Sequence, residues 1–170
     1  MSIRSKFEKQ LNFRQHGFSI KIPDVGRSLK PFDYVVGMPV SLGNVKMLRF
    51  VAIEAKTATG WSLHISKWQP HQRTALDLVD RLAKDSAWVA IGFLDIPKMK
   101  LDHNRQRIET KRKKEAYLIL WGDYKQLECG SSCSYGDIVN KHDDCELSWG
   151  KVGTRYVWTI PPEHPIFCNY

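Results

Sequence analysis

No stretch of this chain stays apolar for the length a membrane span needs, and its first residues lead into a polar segment without the apolar centre of a secretory signal. Both absences argue for a soluble, intracellular protein. Internal repeats, low-complexity tracts and linkers are also lacking. The expectation is therefore one domain over residues 1–170, with a core in about 1–121 and a C-terminal extension, 122–170, packed on it. Cysteine is missing from residues 1–128; Cys129, Cys133, Cys145 and Cys168 all follow. Without a secretory signal a disulfide framework is disfavoured. Together with His142 and His164, the four thiols have the ligand types of a tetrahedral structural Zn²⁺ site. The paired-knuckle spacing is met only loosely, however, and buried structural thiols are the preferred reading. Acidic residues are scarce as well, 18 against 26 Lys and Arg, and the net charge of +8 suggests a polyanionic partner, with nucleic acid ahead of a membrane surface. The expected location is the cytoplasm, in association with the nucleoid.

What is present reads as alternating helices and strands. Residues 2–15 form a helix with Ile3, Phe7 and Leu11 on one stripe and Glu8 at its border. Residues 18–22 make a short strand, and 31–37 a β-prone run with Asp33 where strand formers are expected. Residues 38–46, with Pro39, Gly43 and Asn44, read as the connection to a second antiparallel strand over 48–56. A helix over 68–83 has Pro70 in its first turn, Leu76 and Val79 on its apolar face, and Gln72 at the N-terminal end of that face. Residues 87–94 are continuously apolar, as in a central strand covered on both faces, and Pro97 follows the end of that strand. Further strands are expected over 116–121 and 154–160, with a cysteine-bearing loop between them. This order gives a mixed α/β domain.

Two segments carry chemistry. Residues 98–114 hold eight Lys or Arg against Asp102 and Glu109, so this one segment carries +6 of the net charge. Arg105, Arg107, Lys111, Arg112, Lys113 and Lys114 are its candidate phosphate contacts. The second segment is the strand ending Glu54-Ala55-Lys56. Period-two alternation places Glu54 and Lys56 on one face, and burying two charges costs several kcal/mol unless they pair, bind metal or react. If the hairpin packs between the two helices, Glu8, Asp33, Glu54, Lys56 and Gln72 converge. Asp33, Glu54 and the Ala55 carbonyl are a hard-oxygen set suited to Mg²⁺ or Mn²⁺, with Lys56 placed to orient or deprotonate a water. The reaction this suits is phosphodiester hydrolysis.

These residues resemble the PD-(D/E)xK nuclease superfamily, most closely its RecU-type Holliday-junction resolvases. The likeness rests on Phe7-Glu8, Asp33-Tyr34, the β-hairpin, Glu54-Ala55-Lys56-Thr57, His71-Gln72 and the apolar strand after them. It implies a restriction-endonuclease-like fold, a mixed central sheet flanked by helices. It implies Asp33 and Glu54 as metal ligands, Glu8 as a further acidic site residue, Lys56 as the catalytic lysine and Gln72 as a positioning residue. It also implies a homodimer that cuts four-way DNA junctions in recombination and repair. Phe32 stands where the superfamily's name has proline, and residues 38–46 read as too short for the protruding stalk of RecU-type proteins. Linear duplex cleavage in repair or restriction, or a non-catalytic DNA-binding module of the same fold, are the alternatives.

Overall fold

The chain forms α1 (Ile3–Gln10), β1 (Phe18–Lys21), β2 (Tyr34–Leu42), β3 (Val45–Ala58), β4 (Ser62–His64), α2 (Pro70–Leu82), β5 (Ala87–Leu101), β6 (Arg107–Leu120), α3 (Trp121–Leu127), β7 (Ser132–Ser134), α4 (Tyr135–Lys141), β8 (Ser148–Val152) and β9 (Arg155–Thr159). The computed structural model describes residues 3–14, 17–23, 30–42, 44–101, 107–128 and 130–167. Of residues 3–5, 40–42, 97–101 and 107–113 it describes the backbone alone. Five strands make one mixed sheet in the order β1-β2-β3-β5-β6. β3 and β5 are parallel, joined by a crossover that contains α2, and the other neighbours are antiparallel. The class is therefore mixed α/β.

Alternation along the central strands builds two cores, one on each face. Ala52 and Ala58 of β3, Val89, Ile91 and Phe93 of β5, and Tyr117 and Ile119 of β6 share a cluster with Leu76 of α2, Tyr124 of α3 and Ile138 of α4. The intervening residues Val51, Ile53, Ala55, Trp88, Ala90 and Leu118 pack instead with Phe7 and Leu11 at α1 and with Trp158, Ile160 and Ile166. Each such large apolar side chain contributes about 1.5–3 kcal/mol by leaving water. Gly92 lets α1 approach β5 closely, since a Cβ there would lie 2.7 Å from the Phe7 ring.

Several element ends differ from those expected. The first helix stops at Gln10 because the Asn12 N–H donates to the Trp158 carbonyl at 2.9 Å and Leu11 bridges to Trp158, a pairing incompatible with another helical turn. Residues 38–46 are almost wholly strand and not a connection: β2 and β3 stay in register to Leu42↔Val45. Pro39 is tolerated there because β1 pairs with β2 only as far as Gly37, leaving that edge open. β5 likewise continues through Pro97 to Leu101, with bulges between Phe93 and Ile96 and between Pro97 and Met99. β6 starts at Arg107, and Trp121, expected in the strand, opens α3. Because the last β3–β5 pair is Ala58↔Phe93, residues 94–101 and 107–114 form a two-stranded ribbon beyond the body of the sheet. The C-terminal part is built into both cores. Cys133 of β7 pairs with Leu63 of β4, and the Leu147 N–H donates to the Ala116 carbonyl at 2.7 Å. Among the described residues no helix is long and apolar enough to cross a membrane.

Candidate active site

The face of β3 that carries Ala52 and Ala58 would be continuously apolar but for Glu54 and Lys56 between them. Both are buried, Glu54 at 0% and Lys56 at 2% relative exposure, beside Val89 and Ile91 of β5. Their charges are answered locally. The Lys56 Nζ donates to Glu54 Oε1 at 2.6 Å and to Gln72 Oε1 at 2.7 Å, and Gln72 Nε2 donates to Glu54 Oε1 at 2.6 Å. Carboxylate, ammonium and amide thus close a three-membered ring of hydrogen bonds. Trp68 lies next to it, its ring centroid 4.8 Å from Nζ, and adds a cation–π contact. Gln72 is fixed in turn by the start of α2: its Oε1 also accepts from the Gln69 N–H at 3.3 Å, with Pro70 opening the helix between them.

Asp33 completes the cluster from the neighbouring strand. It precedes Tyr34, the partner of Ile53, and so lies across from Glu54. The Ala55 N–H donates to Asp33 Oδ2 at 2.8 Å, and Lys30 Nζ forms an ion pair with Oδ1 at 2.5 Å. The Lys30 carbonyl meets His71 Nε2 at 3.0 Å, which ties this segment to α2. Buried pairs of this kind gain little net stability, because desolvation offsets most of the Coulomb attraction. A cluster of two carboxylates, two lysines and an amide therefore needs a reason other than stability.

Of the expected site residues, Asp33, Glu54, Ala55, Lys56 and Gln72 are brought together. Glu8 is placed apart, on the α1 face: Lys21 Nζ lies 3.3 Å from its Oε2, and the Tyr34 hydroxyl donates to its backbone carbonyl. Burial, reinforced by the Asp33 and Glu8 carboxylates, pushes the Tyr34 hydroxyl well above the usual phenol range, so it remains a donor. Lys30 and Trp68 were missed as site residues. Lys30 has a local signal, an amine three residues before Asp33, whereas the Trp68 contact depends on how α2 docks.

Arg107, Lys111, Arg112 and Lys113 lie on β6 in the protruding ribbon, Lys114 at its exposed base, and Arg105 outside the described residues. Cys129 and Cys168 also lie outside them. Cys133 is a free thiol buried in the first core, pushed up to about 12 by burial and by the Asp137 and Glu128 carboxylates. Cys145, likewise free and buried, has its ligand atom within 4.8 Å of those of His142 and Asp144, a group that Cys133 does not join.

Neither a scan of protein-family models nor a search of curated proteins finds a match to this chain.

Proposed function

We propose that this protein is a metal-dependent DNA endonuclease of the PD-(D/E)xK type, with a restriction-endonuclease-like fold, that hydrolyses phosphodiesters in branched DNA. The observation that carries the reading is the buried constellation of Asp33, Glu54, Lys56 and Gln72 on two adjacent strands and one helix. The donor set fits a hard divalent cation: two carboxylates face each other across β2 and β3, with the Ala55 carbonyl as a third oxygen. When bound, Mg²⁺ or Mn²⁺ there supplies an acidified water and neutralises charge on a phosphate oxygen. Lys56 holds its ammonium beside the reacting water, and Gln72 fixes its direction. Lys30, now paired with Asp33, must withdraw before a substrate phosphate reaches the carboxylates.

DNA as substrate is supported by the net charge of +8 and by the ribbon of β5 and β6, which leaves the sheet just beyond the Lys56 row and carries Arg107, Lys111, Arg112 and Lys113. Two copies per junction would let one cut each of two opposing strands. The exposed Phe18, Ile20, Leu48 and Phe50 on one face of β1–β3 offer the apolar surface such an assembly covers.

The test compares a four-way junction with a matched linear duplex, with and without Mg²⁺. Nicking of the junction is expected to fall by about 10²–10⁴-fold in Lys56→Ala, and at least as far in Glu54→Ala. Preferential cleavage of the linear duplex would move the reading to repair or restriction. Binding without cleavage of either substrate would leave a DNA-binding module.

A further inference from the structure

The β8–β9 hairpin has a face that the catalytic constellation does not use. Register pairs Trp149 with Trp158 and Lys151 with Tyr156, so alternation puts these four side chains on one side. Trp158 is buried and anchors the hairpin to the α1 face of the sheet. Trp149 and Tyr156, by contrast, are 40% and 58% exposed. Their rings stack at 5.8 Å with an interplanar angle of 22°, and Trp149 lies 4.8 Å from Trp158. A continuous aromatic wall thus runs from the core into solvent.

Trp149 and Trp158 border a cavity of about 150 Å³, whose other sides are Lys6 and Gln10 of α1, Leu94, Asp95 and Lys114; Tyr156 does not line it but stacks on the Trp149 ring. An apolar cavity of roughly that size holds one benzene-sized ring. Asp95 sits in the bulge between Phe93 and Ile96, an irregularity of the kind that re-aims a side chain. The Trp158 indole N–H is buried with no hydrogen-bond partner among the described residues. The site therefore combines flat aromatic surface, the Gln10 amide, the Asp95 carboxylate and exposed ammonium groups from Lys6 and Lys114 at its rim. On the reverse side of the hairpin a groove of about 480 Å³ is lined by Lys9, Arg14, Lys21 and Arg155 among others, which extends the cationic surface past it. A protein partner would match the aromatic wall, but not the cations on both sides of it in a chain of net charge +8.

We propose that this cavity binds one unpaired nucleotide of the nucleic-acid substrate, its base stacked on Trp149, which Tyr156 supports from outside the cavity, and its phosphate held by Lys6 and Lys114. The proposal rests on the reading of the protein as a nucleic-acid enzyme and narrows its substrate to DNA with unpaired residues at a branch, gap or flap. Asp95 and Ile91, the register neighbour of Lys56, are four residues apart on β5, about 13 Å along a strand. The cavity is on the other face of the sheet, so the nucleotide it binds belongs to a strand that passes round the sheet from a duplex at the carboxylates.

The experiment uses the full chain without divalent metal and two fluorescent probes, a ten-nucleotide oligothymidylate and a blunt duplex. Trp149→Ala is expected to weaken oligothymidylate binding by about tenfold or more, and Tyr156→Ala, which removes the ring stacked on Trp149, by a smaller factor. Duplex binding should stay within about twofold, and Trp149→Phe should retain most of the affinity. Trp149 is itself 40% exposed, and Trp149→Leu, which keeps an apolar side chain but no ring, reports if Trp149→Ala fails to fold. Wild-type affinity of Trp149→Ala or Trp149→Leu for the oligothymidylate, equal weakening of both probes, or no oligothymidylate binding by the wild type would each overturn the proposal. Cleavage is read separately with Mg²⁺. A protein that binds the oligothymidylate through Trp149 but cuts no DNA keeps the cavity and loses the nuclease reading. One that cuts DNA but binds the oligothymidylate equally well without these rings does the reverse.

Discussion

The two faces of the central sheet handle charge in opposite ways. On the face covered by α2, Asp33, Glu54 and Lys56 are at most 2% exposed and meet their partners at 2.5–2.8 Å. On the face covered by α1, Glu8 is also buried, at 8% exposure, but it reaches Lys21, whose side chain is 41% exposed, at 3.3 Å at the edge of a groove that Lys9, Arg14 and Arg155 line as well. Water can take over the second arrangement at little cost, whereas the first has no substitute for the groups present. Replacing an interior cluster of that kind by apolar residues of similar volume is often neutral or stabilising, so stability alone does not account for it.

That contrast can be broken most directly by truncating one carboxylate on each face. Glu54→Ala leaves the Lys56 ammonium buried against Trp68 and is expected to cost about 3–5 kcal/mol in urea unfolding. Glu8→Ala, whose partner can turn to solvent, should cost about 1 kcal/mol or less. Equal losses would mean that the two faces do not differ in the way their burial suggests.

A smaller effect concerns His164, buried on the α1 face with Trp88 at 5.8 Å between ring centroids. Burial lowers its imidazole from 6.5 to about 4, against the opposing pull of the Cys145 and Leu118 carbonyls. The unfolded chain therefore binds a proton that the folded one resists. The stabilisation is complete above pH 6.5 and lost as pH falls through about 4, a change of about 3 kcal/mol. Unfolding free energies at pH 7 and pH 4 should differ by that much more in the wild type than in His164→Gln. A slope unchanged by the substitution would show that the imidazole titrates normally.

The smallest effect sharpens the picture of the carboxylate face itself. Lys30 occupies Asp33 from a position with 10% side-chain exposure, where an incoming cation must compete with it. Lys30→Ala should lower the Mg²⁺ concentration for half-maximal cleavage by about two- to fivefold. A higher Mg²⁺ requirement in the variant would instead make Lys30 a supporting residue.

Much of the carboxylate face was legible before any coordinates. Period-two alternation is a property of extended backbone, so Glu54 and Lys56 had to share a face. The stripe of Leu76 and Val79 likewise had to bring Gln72 toward the sheet. The ends of elements were harder to read, because long-range partners decide them. Asn12 leaves the helix for Trp158, far along the chain, and Pro39 stays in β2 because β1 is too short to cover that edge. The basic residues of 98–114 were read as one charged segment, but their arrangement as a paired ribbon depended on β5 running past Pro97 through two bulges. The aromatic wall was hidden for the same reason. Trp149 and Tyr156 are seven positions apart with a turn between them, and only the β8–β9 register stacks them.

By itself, then, the sequence determined a basic chain with an α/β pattern and a strand that brings a carboxylate and an amine to one side, since charge and alternation are local. The tertiary structure decided how those charges are answered, by the expected Gln72 together with the unexpected Lys30 and Trp68. Lys30 precedes β2, across the hairpin from Glu54, while Trp68 and Gln72 lie beyond β4. Their contacts with the cluster exist only once loop closure and the packing of α2 have been achieved together.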